Sequence, residues 1–107
     1  MRSVKDILAE FKFGRSVIDN LKAMSERRDL EEVAAECDGA FSEEFGDADP
    51  LRAALDHARE YNVKCLVVQD DWFMIVPPFK TNMRGWINCL KIWESIDEQK
   101  RIEKAGE

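Results

Sequence analysis

The sequence predicts an α+β domain, with four or five amphipathic helices around one two-stranded antiparallel hairpin in the order α-α-α-α-β-β-α. Three observations predict it. Apolar residues recur at helical spacing behind capping patterns at several points along the chain. Between residues 63 and 76 the pattern changes to β-branched and aromatic residues, interrupted by Asp70-Asp71. Pro77-Pro78 then closes that stretch, because proline has no N–H to give a ladder and holds the residue before it in extended geometry.

The elements follow in order. Ser3 and Asp6 form an S-x-x-D capping pattern for a helix in which Val4, Ile7, Leu8 and Phe11 fall at i, i+3, i+4 and i+7. Gly14 interrupts it, and Ser16 with Asp19 is placed to cap a second helix carrying Val17, Ile18, Leu21 and Met24. Phe11, Gly14, Ile18 and Leu21 equally continue one stripe, so residues 3–28 read as one helix or two. Asp29 and Glu32 repeat the capping logic ahead of Leu30, Val33, Ala34 and Cys37, and Gly39 is placed to end this short helix, about Leu30 to Cys37, in a left-handed conformation. Residues 41–49 are too rich in acids and turn formers for a long element, and Phe41 and Phe45 are expected to pin them to the core.

Asp49-Pro50 starts the next helix: the carboxylate accepts from free amides, and proline is preset for the first helical position. Leu51, Ala54, Leu55, Ala58 and Tyr61 line one face, and Asn62 is a left-handed terminator. With Asp70-Asp71 as a two-residue loop, Gln69 faces Trp72, Val68 faces Phe73, Val67 faces Met74 and Leu66 faces Ile75. Leu66, Val68, Phe73 and Ile75 then share one face and are assigned to the core; Cys65, Val67, Trp72, Met74 and Val76 share the other. Thr81 or Asn82 caps a final helix with Trp86, Cys89, Leu90, Trp93 and Ile96 as its stripe and Asp97 with Arg101 as a supporting pair. From about residue 98 the polar tail is expected to fray. No repeat or linker divides the 107 residues, so residues 1–107 form a single domain with one core.

Both hairpin faces are apolar, and a lone two-stranded sheet does not leave that surface in water. Either helices cover both faces within one monomer, or another molecule covers one face or the free edge: a second copy, giving a homodimer through the hairpin, or a target. Trp72 at the hairpin tip is the residue to watch.

Charge divides the chain. The total is net −6, with 36% of residues charged against roughly 25% in ordinary domains. Residues 1–28 hold seven basic and four acidic side chains, whereas residues 29–60 hold two basic and eleven acidic ones. Between Asp29 and Asp49 stand Glu31, Glu32, Glu36, Asp38, Glu43, Glu44 and Asp47, with no basic residue among them. Such a run is either a solvated, solubilising face or an electrostatic surface for a basic partner, including one whose site is meant for nucleic acid. Direct nucleic-acid binding by the chain is disfavoured. Three widely spaced cysteines, Cys37, Cys65 and Cys89, argue for a reducing compartment, and the start of the chain lacks an apolar stretch after basic residues, so a cytoplasmic protein with no membrane association is expected.

Positive signals for chemistry are few. His57 is the only histidine, with Asp56 and Glu60 near it in sequence, and a general base there has no Ser or Cys at a nucleophile turn to serve. The cysteines lack C-x-x-C spacing, Asp70-Asp71 is explained as a turn, and the glycines match no phosphate-binding loop, so no metal and no cofactor are expected. The order helix 50–61, hairpin, long helix is similar to that of winged-helix DNA-binding domains. The charges are not: Arg52 and Arg59 stand against Asp56 and Glu60, and Lys64 is the one lysine beside the hairpin. The expectation is a small acidic non-enzymatic module that docks on the basic surface of another protein, as an inhibitor or antagonist of a nucleic-acid-handling system. Its candidate contacts are Glu31, Glu32, Glu36, Asp38, Glu43, Glu44, Asp47, Phe41, Phe45 and Trp72. The alternatives are a winged-helix-like transcriptional regulator and a small enzyme using His57.

Overall fold

The computed structural model describes residues 17–26, 28–70 and 72–105. The proposed first helix, the choice between one helix and two over residues 3–28, and Asp71 lie outside the described residues. Within them the order is α1 (Val17–Ser25), α2 (Leu30–Ala35), β1 (Gly39–Ser42), a 3-10 turn (Glu43–Phe45), α3 (Pro50–Tyr61), β2 (Cys65–Gln69), β3 (Trp72–Val76) and α4 (Met83–Ala105). This is a mixed α+β arrangement of four helices and a three-stranded sheet, which corrects the two-stranded expectation.

The hairpin has the anticipated register: Cys65 with Val76, Leu66 with Ile75, Val67 with Met74, Val68 with Phe73 and Gln69 with Trp72. A third strand, β1, lies parallel to β2 on its far side, pairing Gly39 with Cys65 through Ser42 with Val68, so the sheet order is β1-β2-β3. The crossover between the parallel strands is α3. Gly39, expected to end α2, therefore belongs to a strand. α2 stops at Ala35 instead, with Glu36 as a right-handed C-cap. A Cβ on Gly39 meets Phe41 at 3.5 Å and His57 at 3.7 Å, ordinary packing distances.

The local signals for α3 are all present. Asp49 accepts from Arg52 N, Pro50 occupies the first turn, and Asn62 takes φ 55° at the C-terminus. Leu51, Ala54, Leu55 and Ala58 are buried, while Tyr61, assigned to the same stripe, is 60% exposed. Asn62 Oδ1 also accepts from Lys80 N at 2.8 Å, tying the end of α3 to the turn before α4.

Of the two candidate caps for α4, Asn82 acts: its Oδ1 accepts from Gly85 N at 3.0 Å. A Cβ on Gly85 would stand 2.9 Å from both that oxygen and Pro77 Cγ, so the cap and the proline together require glycine there. α4 then runs to Ala105, and Arg101 and Asp97 pair at 2.9 Å on it. Its buried residues are Trp86, Cys89, Ile92 and Ile96, with Leu90 and Trp93 only partly buried, so Ile92 leads the stripe that the spacing assigned without it. Trp86 Nε1 donates to Leu55 O at 2.9 Å, which satisfies a buried indole and locks α4 across α3.

The deeper hairpin face is the opposite of the assigned one. Cys65, Val67, Trp72, Met74 and Val76 are all buried in a cluster with Leu51, Ala54, Leu55 and Ala58 of α3, the α4 stripe and Leu21 of α1. On the assigned face Leu66 is buried, but Val68, Phe73 and Ile75 are only half-buried. The reason is layering: α3 and α4 both cover the Cys65 face, whereas α1 lies along β3.

There α1 closes the sheet edge with one side chain. Ser25 Oγ accepts from Phe73 N at 2.6 Å and lies 3.0 Å from Phe73 O and 2.9 Å from Leu21 O, so its single proton goes to one of those carbonyls. An edge that otherwise invites strand addition is thus occupied at that residue.

Candidate functional site

The acidic segment is distributed over three local devices. Asp29 caps α2 by accepting from Glu31 N at 3.0 Å, which places Glu31 and Glu32 in the first turn of that helix, both exposed. Asp38 N donates to Lys64 O at 2.9 Å, leading the chain into β1 with the Asp38 side chain in solvent. The 3-10 turn then carries Glu43, Glu44 and Phe45.

That turn is closed tightly. Ser42 Oγ accepts from Glu44 N at 3.2 Å; the Asp47 carboxylate accepts from Ser42 N at 3.0 Å, and Asp47 N donates back to Ser42 O at 3.2 Å. Gly46 N donates to Glu43 O at 3.0 Å, with φ 97°, a left-handed conformation that glycine adopts without strain. Ser42 is the one buried polar residue described, so the clasp is anchored in the sheet.

Two consequences correct the residue assignments. Phe45 does not pin the segment to the core; it is 67% exposed, held outward between Glu44 and Gly46. Phe41 does the pinning, packing against the core and against His57 at 5.4 Å between ring centroids. Asp47 is half-buried in the clasp and is a structural carboxylate. Glu36 is exposed and pairs with Arg28 at 3.6 Å. Glu31, Glu32, Asp38, Glu43 and Glu44 form no ion pair among the described residues and are all exposed.

Trp72, placed at the hairpin tip and among the candidate contacts, is 8% exposed and part of the core. It also borders a cleft of about 290 Å3 between the start of α3, the hairpin tip and the middle of α4. Leu51, Ile96 and Trp93 are further apolar lining; Glu43, Asp49, Asp70 and Asp97 supply carboxylates, and Lys22 and Lys100 ammoniums. Trp93 is fixed there by donating from Nε1 to Asp49 Oδ2 at 2.9 Å, and the Arg52 guanidinium lies 5.1 Å from a Trp93 ring centroid. Sequence reasoning missed this cleft, because its walls come from residues 22 to 100 and no local pattern marks it.

His57 sits in an aromatic stack, 4.6 Å from Tyr61 and 5.4 Å from Phe41 between centroids. It forms no hydrogen bond among the described residues. The basic candidates are dispersed: Arg52 pairs with Asp56 at 3.4 Å, Arg59 lies over Phe79 at 5.5 Å, and Lys64 is exposed. All three thiols are free. Burial pushes Cys89 up to about 12, and burial together with nearby Cys37 and Asp38 pushes Cys65 up to about 11. Cys37, less buried, is raised chiefly by desolvation, against the opposing pull of Lys64.

Among the described residues, no helix is long and apolar enough to cross a membrane, and no three His, Cys, Asp or Glu side chains are grouped to hold a metal ion. No protein-family model, curated protein or solved structure matches this chain.

Proposed function

We propose that this protein is a small, non-enzymatic binding module that docks its acidic face, Glu31, Glu32, Asp38, Glu43 and Glu44, on a basic surface of another protein. The observation that carries the reading is Phe45. An aromatic ring held two-thirds in solvent by a hydrogen-bonded turn, and flanked by unpaired carboxylates, gains nothing for the fold. It has the form of an interface anchor within a charged rim. The carboxylates supply long-range attraction and specificity; the ring supplies buried area and slow dissociation. A partner that handles nucleic acid presents the basic surface such a face fits, and occupying it would make the protein an inhibitor or antagonist. Three protonated thiols support a reducing, cytoplasmic setting.

The test begins with capture of the partner from native lysate and its identification by mass spectrometry. Association kinetics are then measured over a salt series. Reversal of Glu31, Glu32, Glu43 and Glu44 to lysine is expected to slow association and flatten its salt dependence, whereas Phe45→Ala raises the dissociation rate about tenfold or more. Unchanged kinetics for both variants would remove the proposal and leave the acidity merely solubilising.

A further inference from the structure

We infer that the outer edge of β1 takes an extended segment of the partner, with lysine or arginine at alternate positions, as an added strand; this rests on the docking reading and says how the partner is held. The two edges of the sheet differ. Along β3, Ser25 Oγ accepts from Phe73 N and lies 3.0 Å from Phe73 O, and the Cys89 thiol lies 3.7 Å from Ile75 O. β1 is the other edge, and Ala40 within it is exposed.

The ladder fixes which backbone groups of β1 are open. Phe73 N and O both turn toward Ser25 and away from β2, so the groups of its antiparallel partner Val68 turn the other way, toward β1. Those of Leu66, two residues back in the same strand, turn with them. In a parallel ladder a residue bonds to the two neighbours of its register partner. Leu66, opposite Ala40, therefore engages Gly39 and Phe41, and Ala40 directs its N–H and C=O outward. Ser42 must then point outward as well, and it does: its N–H goes to the Asp47 carboxylate and its C=O accepts from Asp47 N. The clasp supplies at Ser42 what a further strand would supply. It stops short of Ala40, whose outward pair has no partner among the described residues.

Charge selects the occupant. Asp38 precedes Ala40, and Glu43 and Glu44 follow it, all exposed and in no ion pair among the described residues. Against them stands Lys64, while Arg28 is paired with Glu36. Lys22 and Lys100, which line the cleft with Glu43, share it with Asp49, Asp70 and Asp97, so the balance at the edge stays negative. Two copies pairing β1 with β1 would bring these carboxylates together, which is unfavourable. An extended segment with cations at alternate positions presents them on one face, where they meet the carboxylates while its main chain bonds to Ala40.

The experiment titrates the full chain with an acetylated, amidated hexapeptide alternating lysine and threonine, following backbone amide resonances and amide exchange. Saturable binding, on the order of millimolar, is expected, with shifts centred on Ala40. At a peptide concentration about ten times the Kd, exchange at Ala40 should slow about tenfold, while that at Phe41, already bonded to β2, stays unchanged. Glutamate in place of lysine, or N-methylation of every peptide amide, should abolish the protection, the first through charge and the second through lost main-chain donors. Glu43→Gln with Glu44→Gln should weaken binding about threefold with the fold intact by circular dichroism. Absence of protection at Ala40, or equal binding of the N-methylated peptide, would overturn the inference while a salt-dependent, Phe45-dependent partner complex still stood. A dimer of the free chain in sedimentation that protects Ala40 would give the edge to a second copy and overturn it too. Protection by the peptide alongside a partner complex indifferent to the fourfold charge reversal overturns the assignment of the edge to that partner.

Discussion

Replacing Ser25 with alanine removes one oxygen and leaves Phe73 N of β3 without its partner, together with whichever of Phe73 O and Leu21 O receives the hydroxyl proton. In the wild type the hydroxyl accepts from Phe73 N at 2.6 Å and places its proton on Phe73 O or Leu21 O. Leu21 O keeps its helical environment in α1, so the loss falls on Phe73, whose contact with Ser25 is partly buried. An unsatisfied buried polar group costs about 1–3 kcal/mol, and partial access to water lowers that for each group. The expected destabilisation is about 2 kcal/mol, roughly a 10 °C fall in Tm for a domain of this size. Urea denaturation of wild type, Ser25→Ala and Ser25→Thr measures it; threonine keeps the oxygen and should recover most of the loss. Amide exchange at Phe73 gives the local readout and should speed up more in Ser25→Ala than at Met74 or Ile75. A destabilisation below about 0.5 kcal/mol, or unchanged relative protection at Phe73, would refute the view that one side chain closes this edge.

Two further perturbations follow from geometry and burial. Gly46→Ala has open space around the new Cβ, so its cost is purely the backbone conformation at φ 97°; a loss of about 1–2 kcal/mol is expected by thermal denaturation, with a smaller loss for Gly46→Asn. The thiols of Cys65 and Cys89 stay protonated in the fold up to about 11 and about 12, whereas in the unfolded chain they ionise near 9. Their contribution to stability is therefore complete below pH 9 and is lost as pH rises through 11 to 12, with a slope of up to about 1.4 kcal/mol per pH unit for each thiol. Urea midpoints between pH 8 and 10.5 should fall more steeply for the wild type than for Cys65→Ala with Cys89→Ala; equal slopes would contradict the burial argument.

The proposed docking face and its proposed anchor were only half legible. The carboxylates are visible as a run, but which of them are free depends on partners: Asp47 is taken by Ser42 and Asp49 by Trp93, contacts that the side chains make once β1 and α4 are in place. Phe45 is the sharper case. By composition an aromatic in an acidic loop belongs in the core, and the 3-10 turn with left-handed Gly46 sends it outward instead.

What the sequence determined by itself was whatever closes within a few residues. The caps at Asp29, Asp49 and Asn62 and the pairing of Gln69 with Trp72 across a two-residue loop each depend on neighbours in the chain. Tertiary structure decided the rest. β1 is a strand because β2, 26 positions away in register, offers it a ladder, and four residues starting with glycine carry no period that announces this. The buried face of the hairpin was ambiguous because both faces are apolar; the docking of α3 and α4 on the same side settled it in favour of Val67 and Met74 over Val68 and Phe73. The Ser25 clasp joins residues 48 apart, and the Trp72 cleft gathers residues of α1, the 3-10 turn, α3, the hairpin and α4. In each case several arrangements satisfy the local preferences equally, and the free energy that separates them comes from contacts distant in sequence.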